Sequence, residues 1–419
     1  MAERDLVNFL KKIEQLNKIA ELIEKKRDGI ELTPREIDWF IHNVMSEKID
    51  DCQISALLMS IYFNGMTNIE TKSLVNSMVK SGKRFNFKHL GKYVADKHST
   101  GGIGDKISFV LTPLLSSFGI IVPMIAGRGL AFTGGTIDKL ETIPGINVTP
   151  SLDKFRNWVE NIGCAIISQS KNICPADNKI YALRNQTATV PSIPIICSSI
   201  MSKKIAEGIS GLVIDIKVGN GTFMKNNQKA IELGSWMKKV GKAFGIQTDI
   251  VCSNMDQPLG NYAGLSCEVF EAIECLKVRG PKDLMDVTLE LGSRLLIQSG
   301  IVITMSKAIE IQNDILESGK ALKVFENSVE TQGGRLNEFR KQPLPKHETY
   351  VYPETSGFIQ EMNTESIGWH LVEMGCVLQN RDQQLDKTAG IEFLKKTGDR
   401  VHQDQPVFRV FCSNKDKIN

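Results

Sequence analysis

The feature that most constrains the fold is a change of periodicity near residue 92. Before it, apolar residues recur at helical spacing. After it, short apolar runs at 121–125, 165–167, 212–218 and 250–252 alternate with longer helical stretches. The run 212–218 is the clearest, with a β-branched core bounded by Gly211 and by Gly219-Asn220-Gly221, as a buried strand would be. Strands alternating with helices imply a mostly parallel sheet, and ligands of such sheets bind at the carboxyl ends of the strands.

Two glycine-rich segments fall at such ends. The first is Asp96-Lys97-His98-Ser99-Thr100-Gly101-Gly102-Ile103-Gly104-Asp105. Glycine lets backbone N–H groups approach an anion because no Cβ intervenes. Hydroxyls add donors, and Lys97 adds a full charge. An apolar run over 107–118 follows and reads as a helix, so the segment lies at a helix N-terminus, which attracts anions. The second is Gly127-Arg128-Gly129-Leu130-Ala131-Phe132-Thr133-Gly134-Gly135-Thr136. Two such loops, each after an expected strand, predict one phosphate cradle built from neighbouring strand ends.

The first eighty residues read as helices. Thr33-Pro34-Arg35-Glu36 is a capping box with proline at the first helical position, and Ile37, Phe40, Ile41 and Val44 follow at helical spacing. A further helix over 55–63 stops at Asn64-Gly65. A helical insertion over 176–208 interrupts the later alternation, and we expect it to return to the N-terminal block, as in hinged two-domain enzymes. Lys341-Gln342-Pro343-Leu344-Pro345 resembles a linker, and beyond it lie strand-like pieces with few helix signals. The expected class is α/β: a small all-helical domain, a larger α/β domain with a mostly parallel sheet, and a C-terminal α+β lobe. The expected boundaries are 1–75 (helical, first part), 76–175 (α/β, first part), 176–208 (helical insertion), 209–340 (α/β, second part) and 345–419 (C-terminal lobe).

The chain's 419 residues suffice for two or three domains. Its net charge is only +3 with no basic tract, which points away from nucleic acid and anionic membranes. The polar start Met1-Ala2-Glu3-Arg4-Asp5 offers no signal peptide, and no membrane span is expected. Nine cysteines form no Cys-x-x-Cys pair, so we expect reduced thiols and a cytoplasmic protein. The six histidines lack zinc-ligand spacing.

Taken in order, both glycine segments, Asp138-Lys139-Leu140-Glu141, Pro175-Ala176-Asp177, Tyr181-Ala182-Leu183-Arg184 and Ser199-Ile200-Met201-Ser202-Lys203-Lys204 resemble the pyrimidine nucleoside phosphorylase and thymidine phosphorylase family. The resemblance runs from about residue 5 to residue 411. It implies reversible cleavage of a pyrimidine nucleoside (thymidine, deoxyuridine or uridine) by inorganic phosphate, giving free base and a pentose 1-phosphate, with no required cofactor. Phosphate would sit on the α/β domain and the base on the helical domain, and closure would bring them together. The resemblance makes Lys97, Ser99, Ser108 and Thr136 phosphate ligands. It makes Arg184, Ser199 and Lys203 base ligands, and Tyr181, Leu130, Val190, Ile196 and Phe223 walls of the base pocket. It gives His98 a proton- or hydrogen-bond-donating role beside Arg184 and Lys203 in catalysis. A homodimer through residues 1–75 is also implied.

Four departures stand out. Ala126 replaces the usual serine before Gly-Arg-Gly, which predicts weaker phosphate binding. The usual Gly-His-Thr reads Ala131-Phe132-Thr133, so Ala131 must adopt an ordinary backbone conformation or be strained. Broad-specificity members bind a monovalent cation such as K⁺ through positions matching Gly104, Leu259 and Glu271 and a threonine; here Lys106 stands at the threonine, and its ammonium would replace the ion and pair with Glu271. The chain also ends soon after Phe411, which the resemblance reads as a trimmed lobe. Met124 resembles thymidine-preferring members, whereas Gln257-Pro258-Leu259-Gly260 resembles the broad-specificity branch, so sugar preference stays open. The alternatives are a phosphoribosyltransferase of the anthranilate type and a catalytically weakened homologue that acts as a binding protein.

Overall fold

The computed structural model describes residues 18–129, 131–342, 344–378 and 384–418. It divides into two units: one built from Met1–Asn86, Ser170–Gly208 and Glu232–Ile246, the other from Phe87–Gln169, Ile209–Ile231 and Gln247–Asn419.

The first unit is helical. Helix α1 covers the described residues 18–27. Thr33 and Glu36 form the expected capping box of α2 (Pro34–Met45), whose Ile37, Phe40, Ile41 and Val44 are buried. Helix α3 (Asp51–Asn64) ends at Gly65, at φ 66°. A second capping box, Thr67 with Glu70, starts α4 (Asn68–Lys80). Glu70 is fully buried, and it is kept ionised there by Lys26 Nζ at 2.8 Å and the Leu32 amide at 2.9 Å. The 176–208 insertion supplies the helices later numbered α8 (Pro175–Gln186) and α9 (Ile193–Ala206), and its Ile180 and Ile195 join Val44, Ile54 and Met78 in one core.

The second unit is built on five parallel strands. Strand β1 (Ala95–Ser99) pairs with β4 (Gly211–Val218), which pairs with β5 (Gln247–Asn254). Strand β2 (Val122–Ala126) pairs with β3 (Cys164–Ser168). A parallel bridge, Val94 to Ile121, joins the two sets, giving the order β3-β2-β1-β4-β5. Helix α5 (Ile107–Ser117) is buried on nearly every side because it is apolar all round. Short α6 (Thr136–Leu140) and α7 (Leu152–Ile162) follow; between β4 and β5 the chain runs through α10 (Asn227–Ala243), which from Glu232 onward belongs to the first unit. Helices α11 (Ser266–Leu276), α12 (Lys282–Gln298), α13 (Met305–Glu317) and α14 (Lys320–Thr331) all pack on α5. Among the described residues no helix is long and apolar enough to cross a membrane.

Three expectations change. Residues 96–99 are strand rather than loop. The boundary expected at 340–345 is crossed by an antiparallel sheet: its strand β6 (Tyr262–Gly264) comes from the middle of the chain, and β7 (His347–Val351), β9 (Gly390–Phe393) and β11 (Phe408–Cys412) come from the end, in the order β6-β9-β11-β7. Short β8 (Gly357–Phe358) and β10 (Arg400–Val401) pair separately. After the four-residue α15 (Leu336–Phe339), the C-terminal segment also holds a capped helix, α16 (Thr364–Glu373), started by the Asn363 side chain on the Ser366 amide at 3.0 Å. Its one-turn cap signal was too local to stand out against the strand-like pieces around it.

Candidate functional site

In the second unit, β1 ends at the first glycine segment. Successive strand residues face opposite sides, so Lys97 and Ser99 share one face and His98 takes the other. Lys97 is buried, with Nζ 3.5 Å from Asp105 Oδ2, and the Ser99 hydroxyl also bonds Asp105. Burial pushes the Asp105 carboxyl up, but the ammoniums of Lys97, Lys217 and Lys139, with Ser99, hold it well below the usual carboxylate range. The chain turns at Gly101 (φ 91°) and Gly104 (φ 75°), and a Cβ at Gly104 would collide with Leu259 O. Ser108 is buried in the first turn of α5, whose amides point toward the segment. His98 is half-buried.

The second segment folds back on itself. Asp138 Oδ2 accepts from the Gly129 amide at 2.7 Å, and Arg128 Nη1 reaches Asp138 at 2.7 Å and Glu141 at 2.6 Å. Arg128 therefore braces the loop through carboxylates. Thr136 is half-buried at the first position of α6. Lys139 ties the two segments together: its buried ammonium donates to Asp105 O at 3.0 Å and Glu268 at 2.5 Å. Ala131 sits at φ 52°, the strained alternative. Ala126 ends β2 opposite Ser168. Leu130 lies outside the described residues.

The Lys106 ammonium is fully buried. It donates to Leu259 O at 3.1 Å, Tyr262 O at 2.5 Å and the Glu271 carboxylate. Glu271 also accepts the Asn261 amide at 2.7 Å. A Cβ at Gly260 would lie 2.7 Å from Glu271 Oε2 and 2.9 Å from Lys106 Nζ, so the cage closes tightly around the nitrogen. Three donors meet three acceptors there. Among the described residues no group of three or more His, Cys, Asp or Glu is placed to hold a metal ion.

In the first unit, Asp177, Tyr181 and Arg184 share one face of α8, and Ile196, Ser199 and Lys203 share one face of α9. Lys203 donates to Ser199 Oγ at 3.0 Å and pairs with Asp177, linking the two helices. Arg184 is 1% exposed, donates from Nη2 to Val190 O at 2.7 Å and lies 5.7 Å from the centre of the Tyr181 ring. Burial pulls the guanidinium below its ordinary value, while Asp177 works against that. Burial pushes the Tyr181 phenol up to about 12, so it stays protonated. Arg184 Nε is buried without a hydrogen-bond partner, and so is Asp177 Oδ1. Val190 and Ile196 are half-buried beside them in sequence; Phe223 belongs to the second unit, in the loop after β4.

Sequence reasoning missed Asp177 and Lys217 as site residues. Lys217 is fully buried on β4, with Nζ 2.6 Å from Asp215 Oδ2. Its signal was present: Asp215 and Lys217 are two charges on one face of an otherwise apolar strand. Asp177 stood inside a quoted motif, but only the pairing of α8 with α9 brings it to Lys203.

The chain matches the glycosyl transferase family a/b domain over residues 91–322 and that family's helical bundle domain over 20–82. The pyrimidine nucleoside phosphorylase C-terminal domain matches 358–419. Fold and site thus define a glycosyl-transferring enzyme with a helical bundle and an α/β body. A pyrimidine-nucleoside phosphorylase from Staphylococcus epidermidis is 39% identical over 402 residues, covering 95% of this chain and 93% of that one. Those of Bacillus subtilis (39%, covering 94% and 92%) and Geobacillus stearothermophilus (38%, covering 96% and 93%) are similar. The chain belongs to the pyrimidine nucleoside phosphorylase family. Anthranilate phosphoribosyltransferase from Thermus thermophilus shares the fold, with a TM-score of 0.61 over 74% of this chain and 99% of that one at 15% identity.

Proposed function

We propose that this protein cleaves pyrimidine nucleosides with inorganic phosphate, reversibly, to free base and a pentose 1-phosphate. The observation that carries this reading is the polar cluster of α8 and α9, where a buried Arg184 keeps an unmatched N–H beside a paired Lys203 and Ser199. An unmatched buried donor costs about 1–3 kcal/mol. A planar base with carbonyl oxygens would relieve it.

Phosphate is already anionic, so its oxygen needs no general base to attack C1′. The C1′–N1 bond breaks as the C1′–O bond forms, and the bonding pair leaves with the base. Lys97, Ser99, Ser108, Thr136 and the loop amides are the proposed phosphate ligands; burial of Lys97 strengthens its field. Arg184 and Lys203 donate to the pyrimidine as it becomes anionic, because charge-assisted hydrogen bonds strengthen as charge develops. Asp177 holds Lys203 in place. His98, on the opposite face of β1 from Lys97 and Ser99, is the proposed proton or hydrogen-bond donor to the leaving base.

Lys106 supplies the charge that the resemblance assigns to potassium, so the enzyme needs no added monovalent cation. Phe63 (76% exposed) and Ile69 (62%) on α3 and α4 favour a homodimer through the helical unit. The nine free cysteines favour the cytoplasm, and the proposed reaction, by returning free base, fits a role in nucleoside salvage.

The test is base release from thymidine, deoxyuridine and uridine side by side, with and without phosphate, and with arsenate in its place. Phosphate- or arsenate-dependent release of thymine or uracil is expected. Release that instead needs a diphosphate donor and Mg²⁺, or base binding without turnover, overturns the reading.

A further inference from the structure

Phe132, which stands where the resemblance expects histidine, takes no part in the donor set above. It is 4% exposed. Its ring centre lies 5.8 Å from that of Phe223 and 5.7 Å from that of Trp369 on α16, tilted by 39° and 51°. Rings at such separations attract. Helix α16 approaches with no side chain between: a Cβ on Gly368 would lie 2.8 Å from Phe132 Cδ2.

The loop that carries Phe223 is tied to the same stretch of chain from its other side. Asn220 donates from Nδ2 to Met362 O at 3.0 Å and accepts at Oδ1 from the Thr364 amide at 2.7 Å. Lys225 pairs with Glu365 at 2.6 Å. Gly221 backs so closely onto Thr364 that a Cβ there would collide with it. Residues 362–369 therefore grip the loop twice, by hydrogen bonds at Asn220 and by a row of rings through Phe132.

We propose that Phe132, backed by Trp369 and by the Asn220 clasp, is a positioning residue for Phe223 and through it for the nucleobase. The proposal rests on Phe223 being a wall of the base pocket. The Phe223 ring is half-buried on a loop, and a wall set in advance spares the substrate the entropy of ordering it. Phe132 thus acts by packing between two rings.

The test measures nucleoside KM and phosphate KM separately for Phe132→Leu, Asn220→Ala and Trp369→Ala, with thermal unfolding alongside. Losing one aromatic contact predicts a nucleoside KM about three- to tenfold higher with phosphate KM little changed. Trp369→Ala, at a ring 44% exposed, keeps the test open if Phe132→Leu fails to fold. In a Phe132→Leu background it adds no further rise, since both act through one row of rings. An equal rise in both KM values would mark a merely structural role and overturn the proposal. Unchanged nucleoside KM in active variants overturns it too. An inactive wild-type enzyme sinks the functional reading itself, which separates the two failures.

Discussion

Replacing Lys106 by threonine tests the tethered ammonium most directly. The substitution removes a buried charge and three hydrogen bonds, leaving Glu271 charged, 5% exposed and facing the carbonyls of Leu259 and Tyr262. Breaking a buried ion pair on one side costs about 3–5 kcal/mol. Glu271 keeps the Asn261 and Tyr262 amides, so the lower half of that range is expected. The second unit holds about 280 residues. At about 2.1 cal/mol/K of unfolding entropy per residue, about 3–4 kcal/mol lowers Tm by about 5–7 °C. The space left by the side chain is lined by a carboxylate, two carbonyls and the new hydroxyl, an all-oxygen set that suits a hard cation. Potassium at one hundred times its Kd would return about 2.7 kcal/mol, or about 4–5 °C. The assay is thermal unfolding and base release in tetramethylammonium chloride and in KCl at equal ionic strength. The wild-type protein should be indifferent to the ion and the variant should respond to it. A wild type that needs K⁺ for activity, or a variant as stable as wild type without it, refutes the reasoning.

Ala126→Ser should restore one hydroxyl at the end of β2 and lower phosphate KM by about two- to tenfold, a neutral hydrogen bond being worth about 0.5–1.5 kcal/mol; an unchanged value contradicts the account of Ala126. Ala131→Gly should raise the urea midpoint by about 0.5–1 kcal/mol of stability, because alanine at φ 52° is strained where glycine is not. Asp177→Asn should lower kcat/KM by about 10²-fold, as should Lys203→Met, and the double variant should be no worse than either because they act as a pair; additive losses would show that Asp177 acts elsewhere. In acid, the buried Asp105 carboxyl is held below its ordinary value of 3.8, so its contribution to stability is complete above that value and is lost as pH falls toward its folded one. Urea midpoints followed from pH 7 to pH 2 should drop steeply below about pH 4 in the wild type and less steeply in Asp105→Asn, and parallel curves would contradict this.

Local chemistry made much of the fold legible. The capping box at Thr33 and Glu36, the stop at Gly65 and the apolar 107–118 run each depend on neighbours within a turn or two, so spacing alone reveals them. The charged start of β1 was not legible. Asp96, Lys97 and His98 read as loop because isolated strands of that composition are unstable; pairing with Val213 and Ile214 makes them a strand, and that pairing separates His98 from Lys97 and Ser99. The sheet that joins residues 262–264 to residues 390–392 was missed for the same reason, since its strand partners lie far apart in the chain, whereas α16 was missed because its cap signal spans a single turn.

Sequence by itself determined which side chains are available: two glycine segments, a serine and lysine one helical turn apart, and a lysine where a small hydroxyl is usual. Those properties reside in residue identity and short spacing. Tertiary structure decided what each side chain meets. It set Asp177 against Lys203, enclosed the Lys106 ammonium with Glu271 and two carbonyls, turned Arg128 into a brace, and placed Phe132 between Phe223 and Trp369. Charges and rings act over a few ångströms, and only folding brings residues so distant in the chain to that range.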